Sequence, residues 1–177
     1  MKKITIIGSG GAGKSTLAQN LGSILHIPVY HLDAIFWKPG WVPIERDSFT
    51  AKQEKICGQD AWIIDGNYGA TMDRRLQEAD TVIFLHYRTI RCLYGITKRR
   101  IQYRNKTRPD MGEDCPEKLD WEFFHYVRGF NKTKAPAIYE RLSNLENTTI
   151  RIFKTPNETR HFLDVVEKEN SSNFIDS

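Results

Sequence analysis

Gly8-Ser9-Gly10-Gly11-Ala12-Gly13-Lys14-Ser15 follows the β-branched run Ile4-Thr5-Ile6-Ile7 and opens the stretch from Lys14 to Leu25. In that stretch Leu17, Ala18, Leu21, Ile24 and Leu25 recur at helical spacing. A buried strand, a glycine turn and an amphipathic helix are expected in that order. The turn matches G-x-x-x-x-G-K-[ST], the phosphate-binding P-loop. Glycines let the backbone curl until successive N–H groups converge on an anion, and the following helix adds the positive end of its dipole. Gly8, Gly10, Gly11, Ala12, Gly13, Lys14, Ser15 and Thr16 are therefore candidate nucleotide-binding residues. Lys14 would reach the β- and γ-phosphates, the Ser15 hydroxyl would bind Mg²⁺, and the Thr16 hydroxyl is placed for the α-phosphate. The alternative is a glycine-rich turn without a ligand, and the flanking strand and helix weigh against it.

Outward from this core the pattern repeats. Ile27 to Asp33, Ala61 to Gly66, Thr81 to His86 and Thr148 to Phe153 read as four more strands. Helices are expected over about Arg46–Cys57, Met72–Glu78, Thr89–Arg104, Lys118–Leu145 with a break at Pro136, and from Pro156 to about Lys168. Strands alternating with helices predict an α/β fold, a three-layer P-loop NTPase architecture with a mainly parallel five-stranded sheet. Residues 1–169 are expected to form one domain, with a lid at roughly 99–120 and a frayed polar tail over 170–177.

The 177 residues are 40% hydrophobic and 27% charged, ordinary for a globular protein. No long apolar run predicts a membrane span, and the chain enters a strand straight after Met1-Lys2-Lys3, so no secretory leader is expected. Cys57, Cys92 and Cys115 are scattered and odd in number, the pattern of reduced thiols in a cytoplasm. A net charge of +4 permits polyanionic ligands without demanding nucleic acid.

Ligands of such sheets bind outside the carboxyl ends of the strands. Asp33 and Asp65 end the second and third strands, so both should face the phosphate crevice. Asp65 is the candidate metal-side acid, with Ser15, against a bland role as a turn residue before Gly66. Asp33 is the candidate for orienting or deprotonating an acceptor hydroxyl, against a hydrogen-bonded loop acid. Asp80 precedes its strand and should lie at the opposite edge as a cap or turn. His31 is expected to be a packed or surface histidine. Phe36, Trp37 and Trp41 suit either a stacking wall for a planar acceptor or a hydrophobic plug. Lys98, Arg99, Arg100, Arg104, Lys106 and Arg108 form a basic run. Asp110, Glu113, Asp114, Glu117, Asp120 and Glu122 follow as an acidic one, with Pro109 and Pro116 between. A mobile lid whose arginines neutralise phosphate charge fits this pattern. A solvated, ion-paired helix face and a nucleic-acid patch are the alternatives.

The P-loop, Asp65-Gly66, the strand around Thr81 to Leu85 and Lys98-Arg99-Arg100 resemble the adenylate kinase-like P-loop kinases. His31-Leu32-Asp33, Trp37-Lys38-Pro39-Gly40-Trp41 and Trp62-Ile63-Ile64-Asp65-Gly66-Asn67-Tyr68 look more like the group called DNA topology modulation proteins. The likeness spans about residues 3 to 165. It implies a nucleoside-monophosphate-kinase-like fold with an acceptor flap and lid, and ATP with Mg²⁺. By position it implies Lys14 and Ser15 on phosphate and metal, Asp65 as metal-side acid, Arg99 and Arg100 at the lid base, and Thr155 and Pro156 near adenine. Two departures stand out. Adenylate kinases follow Asp-Gly with Phe-Pro-Arg, where this chain has Asn67-Tyr68-Gly69, so Arg74 or Arg75 would have to replace that arginine. Gly95 stands where an adenine-stacking arginine is expected.

The sequence thus points to an ATP-dependent kinase acting on a small molecule, with nucleosides and nucleotides among the candidate acceptors. Lys14, Asp33, Arg99, Arg100 and Arg104 are its catalytic candidates, and Asp33, Trp37, Trp41, Asn67, Tyr68 and Arg74 its acceptor-side candidates. A nucleotide-dependent, DNA-associated regulator is the rival, and a degenerate kinase that binds without transferring is a third reading.

Overall fold

A computed structural model describes residues 1–175 apart from Asn105, Pro109, Glu113, Lys118 and Leu119, with only the backbone of 173–175. The parts of the expected lid and tail that fall on Pro109, Glu113 and 176–177 lie outside the described residues.

The elements run β1 (Lys3–Gly8), α1 (Lys14–Leu25), β2 (Val29–His31), α2 (Leu32–Phe36), β3 (Trp37–Lys38), β4 (Val42–Pro43) and α3 (Arg46–Cys57). They continue with β5 (Trp62–Asp65), α4 (Gly69–Glu78), β6 (Thr81–Leu85), α5 (Thr89–Gln102), α6 (Trp121–Thr133), α7 (Ala135–Ser143), β7 (Thr149–Phe153) and α8 (Pro156–Ile175). The expected sheet is present: five parallel strands in the order β2-β5-β1-β6-β7. Side chains alternate between its faces. Ile4, Ile6, Ile63, Ile83 and Leu85 pack with Leu17, Ala18 and Leu21 of α1 and Val166 of α8. Ile7, Trp62, Ile64, Val82 and Phe84 pack on the other face with Phe49, Leu76 and Ile138 of α3, α4 and α7. Each such buried side chain contributes on the order of 1.5–3 kcal/mol, so both faces are substantial cores.

Three local features differ from the sequence reading. The aromatic loop contains a small antiparallel hairpin, with Trp37 opposite Pro43 and Lys38 opposite Val42. Two-residue strands carry no periodicity to read. The long helix expected from Lys118 is two helices, and Pro136 sits in the first turn of the second, where its missing N–H costs nothing. The last helix continues well past Lys168 to Ile175. The Asn170 amide donates to Ile24 O at 2.7 Å, which ties the start of the expected frayed tail to α1.

Asp80 lies at the amino edge of the sheet, as its position before β6 requires. Its carboxylate accepts from the N–H groups of Lys2 (2.6 Å) and Lys3 (3.0 Å) and staples the start of β1.

Candidate functional site

The P-loop joins β1 to α1 at the carboxyl end of the sheet. Gly11 (φ 74°) and Gly13 (φ 90°) take left-handed conformations that side chains disfavour. This is the backbone form in which successive amides make an anion nest. Lys14 Nζ donates to Ser9 O at 3.1 Å, folding back over its own loop. Burial pushes its ammonium below the usual value, while Asp65 and Asp33 act in the opposite direction. Thr16 is exposed at the start of α1.

The strand-end rule placed Asp65 well. It is buried at 4% exposure, and its Oδ2 accepts from the Ser15 hydroxyl at 2.8 Å. A hydroxyl and a carboxylate side by side are hard oxygen donors. Mg²⁺ takes such a pair and completes its shell with waters and nucleotide phosphates, so these residues fit that ion. Asp65 Oδ1 lies 2.5 Å from His31 Nδ1. Burial alone would lower the His31 pKa, but the hydrogen bond and charge of Asp65, with Asp110 and Asp33, raise it above the ordinary 6.5. His31 is therefore a direct partner of Asp65, a contact the sequence reading missed. The only available signal was its position at the end of β2.

Asp33 lies just beyond β2, exposed, and its Oδ1 accepts from the Tyr68 hydroxyl at 2.8 Å. Burial, with the nearby Asp33 charge, holds the Tyr68 phenol far above its usual pKa, so it stays protonated and donates. Trp37 stacks edge-on against Phe36 (4.9 Å) and Trp41 (5.5 Å). Phe36 turns inward against Phe49 and Tyr68, the plug reading of that residue.

Four sequence assignments change. The Asn67 amide does not point into an open acceptor pocket. Its Oδ1 accepts from Gly8 N (3.0 Å), and its Nδ2 donates to Gly8 O (2.8 Å) and to the Tyr126 hydroxyl (3.0 Å). It replaces the next rung of the β1–β5 ladder after the chain leaves β5. Arg74 is 60% exposed and pairs with Glu78, which also faces Lys3 at the amino edge of the sheet. It therefore points away from the P-loop, because α4 starts at the carboxyl end of the sheet and runs back toward that amino edge. Its neighbour Arg75 is fully buried and braces the turn after β5. It donates to Gly66 O (3.1 Å), Gln53 Oε1 (2.7 Å) and Thr71 Oγ1 (2.8 Å), and burial pushes its pKa down to about 10. Trp41 turns to the segment between α5 and α6, its indole N–H donating to Pro116 O at 3.2 Å. Arg104 is exposed, and its backbone forms a bridge with Glu117.

The arginines of the basic run that do come together are Arg99, Arg100 and Arg108. Arg99 Nε lies 2.7 Å from Glu117 Oε1, and Arg108 Nε lies 2.8 Å from Glu117 Oε2. Arg108 Nη1 reaches Asp110 at 2.9 Å, and Arg100 Nη1 donates to Glu117 O at 2.5 Å. Arg108 belonged to the basic run but had no mark to set it above Arg104. Arg99 also lies 5.6 Å from the centre of the Phe123 ring, and a Cβ on Gly10 would come within 2.6 Å of that ring. Phe123 thus links the end of α5 to the P-loop.

Gly95 has a plain steric reason. A Cβ there would overlap Gly11 O, so α5 packs backbone to backbone on the P-loop where an arginine was expected. Gly69 has open space around it. Thr155 forms a capping box with Glu158. Its hydroxyl donates to Glu158 Oε1 (3.0 Å) and accepts from Glu158 N (3.3 Å), which opens α8 beside Pro156.

No protein-family model matches the sequence, and no curated protein matches it. Solved structures do. Shikimate kinase from Acinetobacter baumannii in complex with shikimate aligns over 98% of this chain and 94% of its own, with a TM-score of 0.63 and 15% identity. Shikimate kinase from Bacteroides thetaiotaomicron aligns over 93% and 96%, at 0.55 and 16%. A gluconokinase from Sinorhizobium meliloti 1021 aligns over 99% and 97%, at 0.50 and 14%. Together with the sheet order and P-loop, these matches define the class of fold: a three-layer α/β P-loop fold of the kind seen in small-molecule kinases. No helix among the described residues is long and apolar enough to cross a membrane.

Proposed function

We propose that this protein is an ATP-dependent kinase that transfers the γ-phosphoryl group to a hydroxyl of a small acceptor. The observation that carries this reading is the Ser15–Asp65 contact beside Lys14, beneath a lid that carries Arg99, Arg100 and Arg108. P-loop amides and Lys14 would cradle the β- and γ-phosphates. Ser15 and Asp65 would hold Mg²⁺, which supplies neutralisation of the phosphate oxygens. The lid arginines would meet the charge that spreads over the transferring group. Asp33, held by Tyr68, would orient the acceptor hydroxyl or accept its proton, with Trp37 as a ring wall. Nucleosides and nucleotides remain among the candidate acceptors, and scattered, buried, free cysteines suit a cytoplasmic setting.

Affinity to the DNA topology modulation group rests on the His31–Asp33, Trp37–Trp41 and Trp62–Tyr68 stretches alone. The basic run favours the kinase reading over a DNA patch, because Arg99, Arg100 and Arg108 turn inward onto Glu117. A phosphoryl-transfer screen with ATP, Mg²⁺ and a panel of hydroxylated metabolites tests the proposal. Lys14→Ala should abolish ADP formation with the fold retained by circular dichroism. Unchanged ATP consumption in that variant would sink the assignment.

A further inference from the structure

Glu117 occupies an unusual place for a lid acid. Its side chain is 2% exposed and spans two guanidinium groups at 2.7 and 2.8 Å, while its backbone carbonyl takes a third. Its N–H is spent on Lys106 O at 3.0 Å, so the chain around it is pinned on both sides. One carboxylate set between two guanidinium groups resembles a phosphate group: Oε1 accepts from Arg99 Nε, and Oε2 pairs by charge with Arg108 Nε, whose N–H is not aligned for a hydrogen bond and is left for a better placed oxygen. The lid that carries Glu117 also sits directly on the acceptor flap. Gly40 N donates to Asp114 O at 2.9 Å, Cys115 Sγ reaches Lys38 O at 3.3 Å, and Trp41 reaches Pro116 O at 3.2 Å. A Cβ on Gly112 would come within 2.6 Å of Trp37 O, so the lid seats closely on the flap there as well.

We propose that Glu117 is an internal competitor of the nucleotide's phosphates. It binds Arg99 and Arg108, holds the lid against the Trp37–Trp41 flap, and must be displaced before those arginines can grip a nucleotide. This rests on the kinase reading of the P-loop and adds a means of regulating it. Among the described residues, two carboxylates, Glu117 and Asp110, face three guanidinium groups, so these five side chains keep a positive balance that attracts a polyanion. Each ion pair broken by an entering phosphate is replaced by another charge-assisted pair. The exchange is therefore nearly balanced in free energy, so a modest change in nucleotide concentration shifts it. Rebinding of Glu117 would likewise help expel the product nucleotide.

The test is calorimetric titration of Mg·ATP and of inorganic tripolyphosphate into the full chain and its variants. Glu117→Gln keeps the shape and removes the competing charge, and should bind both probes about tenfold tighter, within the usual range of coupling between sites. Tryptic cleavage in the lid should become faster without nucleotide and return to the parent rate with Mg·ATP. Affinity equal to or weaker than the parent's overturns the proposal, because a merely structural Glu117 would loosen the arginines and weaken binding. If Glu117→Gln does not fold, Asp110→Asn carries the test, with a smaller gain in the same direction expected and no gain overturning it. Lys14→Ala separates the two levels. Loss of tripolyphosphate binding there, with no gain in Glu117→Gln, removes the competitor and leaves the P-loop reading standing. Unchanged binding in Lys14→Ala removes both.

Discussion

Replacing Asn67 with alanine probes how the P-loop is anchored. The Asn67 amide holds both the N–H (3.0 Å) and the C=O (2.8 Å) of Gly8, a buried residue, and reaches the Tyr126 hydroxyl as well. Its removal strands two backbone groups at the last residue of β1. A buried polar group left without a partner costs about 1–3 kcal/mol. The amide is only part-buried, so water can re-enter and each loss falls near the low end, for a total of about 2–3 kcal/mol. For a chain of this size that corresponds to a fall of about 4–12 °C in melting temperature. Urea unfolding should show the loss as a lower midpoint with an unchanged slope. Mg·ATP affinity should fall too, because Gly8 begins the phosphate loop. Asn67→Asp keeps an acceptor for Gly8 N but sets a carboxylate against Gly8 O, and should recover less than half of the loss. A destabilisation below about 0.5 kcal/mol, the range of an ordinary surface change, would refute the anchoring argument.

Two further outcomes are expected. Gly95→Ala drives a methyl into Gly11 O and should weaken Mg·ATP binding at least tenfold, with a stability loss of about 1–3 kcal/mol from overpacking. Gly69→Ala, which meets open space, should leave binding unchanged, and calorimetry on the two variants checks the contrast. Asp80 carries the pH prediction. Its partial burial would raise its carboxyl, but hydrogen bonds from Thr81, Lys3 and Lys2 hold it below the usual 3.8. A depressed carboxylate stabilises above its unfolded pKa and loses that contribution as pH falls through the folded value. The stability advantage of the parent over Asp80→Asn should therefore shrink as pH drops below about 4. An advantage constant from pH 6 to pH 2.5 in urea titrations would contradict it.

The main outline of the fold was legible because its signals are local. The runs at Ile4–Ile7, Trp62–Ile64 and Val82–Leu85 are apolar on both faces, as buried parallel strands require, and they became β1, β5 and β6. The hairpin of β3 and β4 was not legible, since two residues have no period and the turn is set by contacts with the lid at Asp114 and Pro116. Asp65, named from its strand-end position, lies against Ser15, whereas the amide of Asn67, an acceptor-side candidate, is spent on Gly8. Both lie beside the loop, yet nothing in the sequence says that an amide will complete a ladder rung instead of facing a ligand.

By itself the sequence determined the strand, glycine loop and helix around Gly8 to Ser15, the form of a phosphate-binding loop, because glycine φ freedom, a strand and a helix are properties of neighbouring residues. Tertiary structure decided which distant side chains serve that loop. Ser15 meets Asp65 across 50 residues, and Gly8 meets Asn67 across 59. It also decided which arginines join the lid cluster, setting Arg108 inside it and Arg74 at the far edge of the sheet. Those choices depend on helix direction, sheet order and burial. Charge and spacing along the chain carry none of that information.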